Sequence, residues 1–127
     1  MDKKIEIEFV KKCVKETYQE RLIFELQSKK HREKAILRFS HSSETILKNN
    51  FVKSTISNVQ SISNKKSLEK CYVISDDLYD GEILQFNDAI EYCKATYMPV
   101  VLISPQFIVI KEEVERNETT LWVGMFD

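Results

Sequence analysis

Glycine and proline are almost missing from this sequence, with two of each in 127 residues. Sandwiches and barrels built only of strands need turn residues at short intervals, so that scarcity excludes them. Two glycines cannot build a P-loop or a G-x-G-x-x-G cradle, so no nucleotide cofactor is expected. Long apolar runs are missing too. The longest, MPVVLIS (98–104), is strand-sized and far below the roughly 18 residues of a membrane span, so no membrane partner is expected. Residues 1–16, MDKKIEIEFVKKCVKE, are charged throughout and hold no apolar leader core. Cysteine is sparse and odd in number. Cys13, Cys71 and Cys93 are widely spaced without a C-x-x-C, which suits reduced core thiols in a cytoplasm rather than disulfides or zinc.

Catalytic signatures are equally thin. The only histidines are His31 and His41. His31-Arg32-Glu33 has the H-x-E spacing of zinc deaminases, but no P-C-x-x-C follows it. Ser40-His41-Ser42 sets hydroxyls beside an imidazole without a nucleophile elbow. No catalytic residue, metal or cofactor is therefore assigned from the sequence.

What the chain does have is an apolar fraction of 43% and an aromatic fraction of 10%, enough for one globular core in a single domain, 1–127. It also has a divided charge. Residues 1–70 carry 16 Lys+Arg against 9 Asp+Glu, a balance of +7. Residues 71–127 carry 3 against 11, a balance of −8, and together they return the net −1. Either the halves neutralise each other at a seam, or one of them presents its sign to a partner.

Periodicity predicts a helical, basic region over 1–62, a connection at 63–70 and an acidic β-α-β-β-β region over 71–127. From Lys3 to Gln27, Ile7, Val10, Val14, Tyr18, Leu22 and Leu26 recur at three- and four-residue steps, reading as one helix. A second helix follows Ser28, and a short third one is capped by Ser42 or Ser43. Residues 51–62 have no clean period. CYVIS, MPVVLIS, FIVIKEE and TTLWVGMF read as strands, and EILQFNDAIEYCKAT as a helix with Ile83, Phe86, Ala89, Ile90 and Cys93 inward. The expectation is an α+β fold: the helical half packed on one face of a sheet of about four strands.

Asp76-Asp77-Leu78-Tyr79-Asp80 matches the D-D-x-x-D of isoprenoid synthases. There the motif lies on a helix facing a deep cavity, for which this chain has no room. As a calcium loop it lacks ligands, with Leu78 at the third position and Asn87 at the twelfth. The simpler reading is a turn at Asp80-Gly81, with Asp80 and Glu82 favouring a helix start by their charge.

Two stretches, RLIFELQSKKHREKAILRFSH (21–41) and CYVISDDLYDGEILQFNDAIEYC (71–93), resemble a set of small bacterial proteins of unassigned function. They share the order R-x-x-F-E-L…R-x-x-H, then Y-V-I-S…D-G, then an acid-bearing strand pair. The matching positions are Arg21, Glu25, Lys30, Arg32, Arg38 and His41, then Ser75, Asp80, Gly81 and Glu112 or Glu113. The resemblance implies a fold and brings no activity.

Three functional expectations follow. The first is a non-catalytic cytoplasmic protein of the immunity or antitoxin kind, docking on a basic partner such as a toxin. Its acidic contacts would be Asp76, Asp77, Asp80, Glu82, Asp88 and Glu91, with Tyr79 and Tyr92 as aromatic anchors. The second is a nucleic-acid-associated or phage-defence protein using Lys29, Lys30, Arg32, Lys34 and Arg38 on a basic helix, 28–38. The third is an enzyme in which Arg38, His41, Asp80 and Glu112 converge.

Overall fold

A computed structural model describes residues 1–65 and 69–125, with residues 63–65 described by backbone alone. Part of the expected connection, 66–68, lies outside the described residues.

The chain runs α1 (Lys3–Cys13), α2 (Glu16–Gln27), α3 (Arg32–His41), α4 (Ser43–Ile46), β1 (Phe51–Ser54), α5 (Ile56–Lys65), β2 (Lys70–Ser75), β3 (Ile83–Gln85), α6 (Phe86–Ala95), β4 (Val100–Ile103), β5 (Phe107–Lys111) and β6 (Leu121–Met125). All strands form one antiparallel sheet in the order β1-β6-β5-β4-β2-β3. The fold is α+β. The sheet has six strands rather than about four, because the segment without clean period supplies β1 and the start of the helix expected over 82–96 supplies β3.

Helices cover both faces of the sheet, not one. Side chains alternate across a strand, and here both alternations are apolar. Tyr72 and Ile74, Val101, Ile108 and Ile110, and Trp122 pack with α1–α4. Cys71 and Val73, Val100 and Leu102, Phe107 and Val109, and Leu121 and Val123 pack with α5 and α6. Each such buried side chain is worth about 1.5–3 kcal/mol, so neither face is a minor one. The cysteines fill gaps in these cores as free thiols, and burial pushes each up to about 12.

The expected continuous helix 3–27 is broken at Val14-Lys15. Neither glycine nor proline causes this. Val14 bridges Leu47, Lys15 N–H donates to the Ile46 carbonyl (2.8 Å), and Lys48 N–H donates to the Cys13 carbonyl (2.8 Å). Backbone bonds to a segment more than thirty residues on replace helical ones, so propensity is overridden by tertiary pairing. The helix expected from Glu82 starts at Phe86 instead, and Ile83, placed inward by periodicity, is 60% exposed on β3.

The hairpin between β5 and β6 closes through Glu115–Glu118, where Arg116 and Asn117 have φ of 51° and 64°. Positive φ at both central residues matches the twist of a two-residue hairpin. In β6, Gly124 lies under the Phe51 ring: a Cβ there would stand 2.8 Å from the ring's Cζ. Only glycine lets that ring close over the strand.

Candidate functional site

The acidic loop between β2 and β3 is built from its turn outward. Gly81 has φ of +81°, its N–H donates to the Val73 carbonyl (2.8 Å), and Val73 N–H donates to Glu82 (2.9 Å). Asp80 N–H donates to the Asp77 carbonyl (3.1 Å). The expected turn at Asp80-Gly81 is present. Asp80 does not serve a helix start, because β3 intervenes. Its carboxylate accepts the Ser75 N–H (3.1 Å) and two bonds from Arg32 (2.8 and 2.9 Å).

Arg32 is the knot of the molecule. Its five N–H groups donate twice to Asp80, twice to Glu6 (2.7 Å each) and once to the Leu26 carbonyl (2.8 Å). Glu6 also accepts the Tyr72 hydroxyl (2.6 Å), which itself accepts the Asp2 N–H (3.0 Å). Burial alone would lower the Arg32 pKa, but the bonds to Glu6 and Asp80 outweigh it and hold the guanidinium charged. Tyr72 is pushed upward by burial and by its bond to Glu6, so it remains a phenol. This network fastens α1, the α2–α3 turn and α3 to the acidic loop.

Within the loop, Asp77 accepts the Tyr92 hydroxyl, which also lies 3.2 Å from Ser75 Oγ. Tyr79 meets Tyr92 edge to face, with centroids 4.8 Å apart, and both pack against the α5–α6 core. The two tyrosines therefore brace the loop. Asp76, Asp77, Leu78 and Glu82 stand on the surface, as do Asp88 and Glu91 on α6, the latter pairing with Lys94 (3.0 Å). Burial and the neighbouring charges of Glu33, Asp80 and Asp77 raise the Asp76 pKa. Leu78, 79% exposed at the loop tip, was given no role by its sequence context. Its signal was local: an isolated leucine among aspartates in a turn has no strand or helix face to join.

The basic candidates are divided. Helix α3 begins at Arg32, so Lys29 and Lys30 lie in the preceding turn and only Lys34 continues their exposed charge onto the helix. Arg32 is occupied by the loop. Arg38 is bonded to Glu25 (2.8 and 3.0 Å), with Arg21 beside it at 3.6 Å from the same carboxylate. That pairing lowers the Glu25 pKa, mainly through the Arg38 bond, and raises that of Arg38.

Of the four groups considered for an enzyme, two come together. His41 lies 3.4 Å from Glu113, and with Glu112, Glu115, Glu118, Ser40 and Thr120 they line a polar pocket of about 250 Å³. Glu112 accepts the Trp122 indole N–H (2.6 Å), and Ser40 Oγ accepts the Glu113 N–H (2.7 Å). Arg38 and Asp80 are committed to Glu25 and Arg32 instead. A hydroxyl–imidazole contact does exist, Ser28 Oγ to His31 Nδ1 at 2.9 Å, and it closes the turn ahead of α3. Arg32–Asp80 and His41–Glu113 span the basic and acidic halves, whereas Arg32–Glu6, Arg38–Glu25 and Lys94–Glu91 stay within one half. No protein-family model, curated protein or solved structure matches the chain, so the reading of function rests on its own residues.

Proposed function

We propose that the protein acts without catalysis, by docking the acidic loop 76–82 on a basic protein partner in the manner of an immunity or antitoxin protein. One observation carries this reading. Asp76, Asp77, Leu78 and Glu82 are exposed on a loop that is braced by the bonds of Asp80 to Arg32 and of Asp77 to Tyr92. An exposed leucine among carboxylates in one short braced loop supplies an apolar anchor, charge for steering, and little ordering cost on association. The −8 balance of residues 71–127 adds long-range attraction for a basic surface.

The test is affinity capture from the native host at low salt, with wild type beside the triple variant Asp76→Lys, Asp77→Lys, Glu82→Lys. The expected result is a basic protein held by wild type, released by salt and missed by the variant. A wild type that retains no protein at low salt, or a variant that retains the same one, ends the proposal.

The alternative, nucleic-acid binding, draws support from Lys29, Lys30 and Lys34, which are exposed in one short stretch. Fluorescence anisotropy with generic DNA and RNA at about 50 mM salt separates the two readings, since phosphate contacts give a steep salt dependence. A flat titration excludes the alternative.

A further inference from the structure

The register of the sheet places one residue from each strand in a single cross-strand row. Ile83 pairs with Tyr72, Tyr72 with Ile103, Ile103 with Ile108, Ile108 with Gly124, and Gly124 with Phe51. Paired residues share a face, and this row lies on the side covered by α1–α4. At the β3 end the cover runs out. Ile83 stays 60% exposed, and Ile103 is only half buried. What remains is a trough of about 390 Å³ between the sheet and α1.

Its two walls have a regular origin. Ile83, Tyr72, Ile103 and Ile108 form one, four neighbours along the row. Ile5, Glu8, Phe9 and Lys12 form the other, spaced as a single stripe of a helix. Lys70, two residues before Tyr72 and hence on the same side of β2, joins the sheet wall. Apart from Ser104 and the Tyr72 hydroxyl, the polar groups of the lining are charges that sum to a positive excess: Lys12 from one wall and Lys70 from the other, against Glu8. A volume of this size lies at the small end of ligand pockets, roughly 300–1,000 Å³, and below what the several side chains of a docked helix would fill.

The geometry points to a binding site for a small amphipathic organic anion, an aliphatic carboxylate whose chain lies between α1 and the row while its head meets Lys12 and Lys70. The apolar body removes Ile83 and Ile103 from water, and the lysines supply charge-assisted bonds to the carboxylate. The lining of this site shares no residue with the acidic loop 76–82, so the titration below and the capture test are read separately.

The experiment is an isotope-edited NMR titration of the full chain with decanoate, run beside decylamine as the cationic analogue. Decanoate is expected to give saturable shifts at Ile5, Phe9, Ile83 and Ile103, with decylamine at least about tenfold weaker, the worth of one charge-assisted bond. The double variant Lys12→Gln, Lys70→Gln changes only exposed side chains and should weaken decanoate by a similar factor. Ile83→Trp, at the open end, should block it while the spectrum stays folded. Equal binding of the two amphiphiles, shifts outside the trough, or no saturation with decanoate would each overturn the assignment.

Discussion

The two faces of the sheet are both covered by helices, and they are held by different means. On the α5–α6 face the contacts are apolar, Phe86 against Phe107 and Val59, Ile90 and Val109 around them, with one charged intruder, Lys111. On the α1–α4 face an apolar core of similar make is fastened at its rim by the Arg32 network. The difference teaches what each method controls. Apolar contacts hold a layer down but tolerate sliding. A guanidinium with all its donors engaged fixes where α1, α3 and the acidic loop sit relative to one another.

Removing the knot should break that comparison most. Arg32→Met leaves the buried Glu6 carboxylate unpaired and should cost about 3–5 kcal/mol in urea unfolding. Arg32→Lys should recover little of it, because an ammonium cannot reproduce the fork. A loss below about 1 kcal/mol would show the network to be decoration, the behaviour of a surface pair. Next comes Gly124→Val, which forces a side chain into the Phe51 ring and should cost about 1–3 kcal/mol by the same measurement.

The intruder on the other face gives a pH signature. Lys111 is 0% exposed, and its ammonium nitrogen is held by the Met98 carbonyl. Burial lowers its pKa below the ordinary 10.5, against smaller opposing effects of Cys93, Glu113 and Asp77. Between the lowered value and 10.5 the unfolded chain binds more protons than the folded one. The Lys111 contribution to stability should therefore rise with pH through that window, by up to about 1.4 kcal/mol per unit, against the opposite contribution of the buried cysteines, whose thiols ionise first in the unfolded chain. Lys111→Met should remove the rising contribution and make the alkaline loss of stability steeper than in wild type, as followed by urea midpoints across alkaline pH. The smallest effect is expected from Tyr92→Phe. It removes the hydroxyl bond to Asp77, costs about 1 kcal/mol, and should speed amide exchange in the loop 76–82 without touching α3.

The strands could be read from the sequence because they announce themselves. CYVI, VVLI and FIVI are apolar at every position, and that continuity marks burial on both faces. Expecting helices on one face passed over the mark. The break at Val14 and the strand at Ile83 were illegible for a different reason: both are made by pairing with another segment, Leu47 far along the chain and Tyr72 across the acidic loop, which periodicity does not register. The candidate site divides in the same way. Gly81 declared its turn. The partnership of Arg32 with Asp80 spans 48 residues, and nothing in either neighbourhood predicts it.

The position of β6 has a consequence for how the molecule comes into being. The sixth of the described strands lies inside the sheet, between β1 and β5. Phe51–Ser54, translated early, must wait for Leu121–Met125 to emerge before finding a neighbour. Until then β1 and β5 each leave an edge unpaired, and β6 completes the sheet by inserting between two strands made before it.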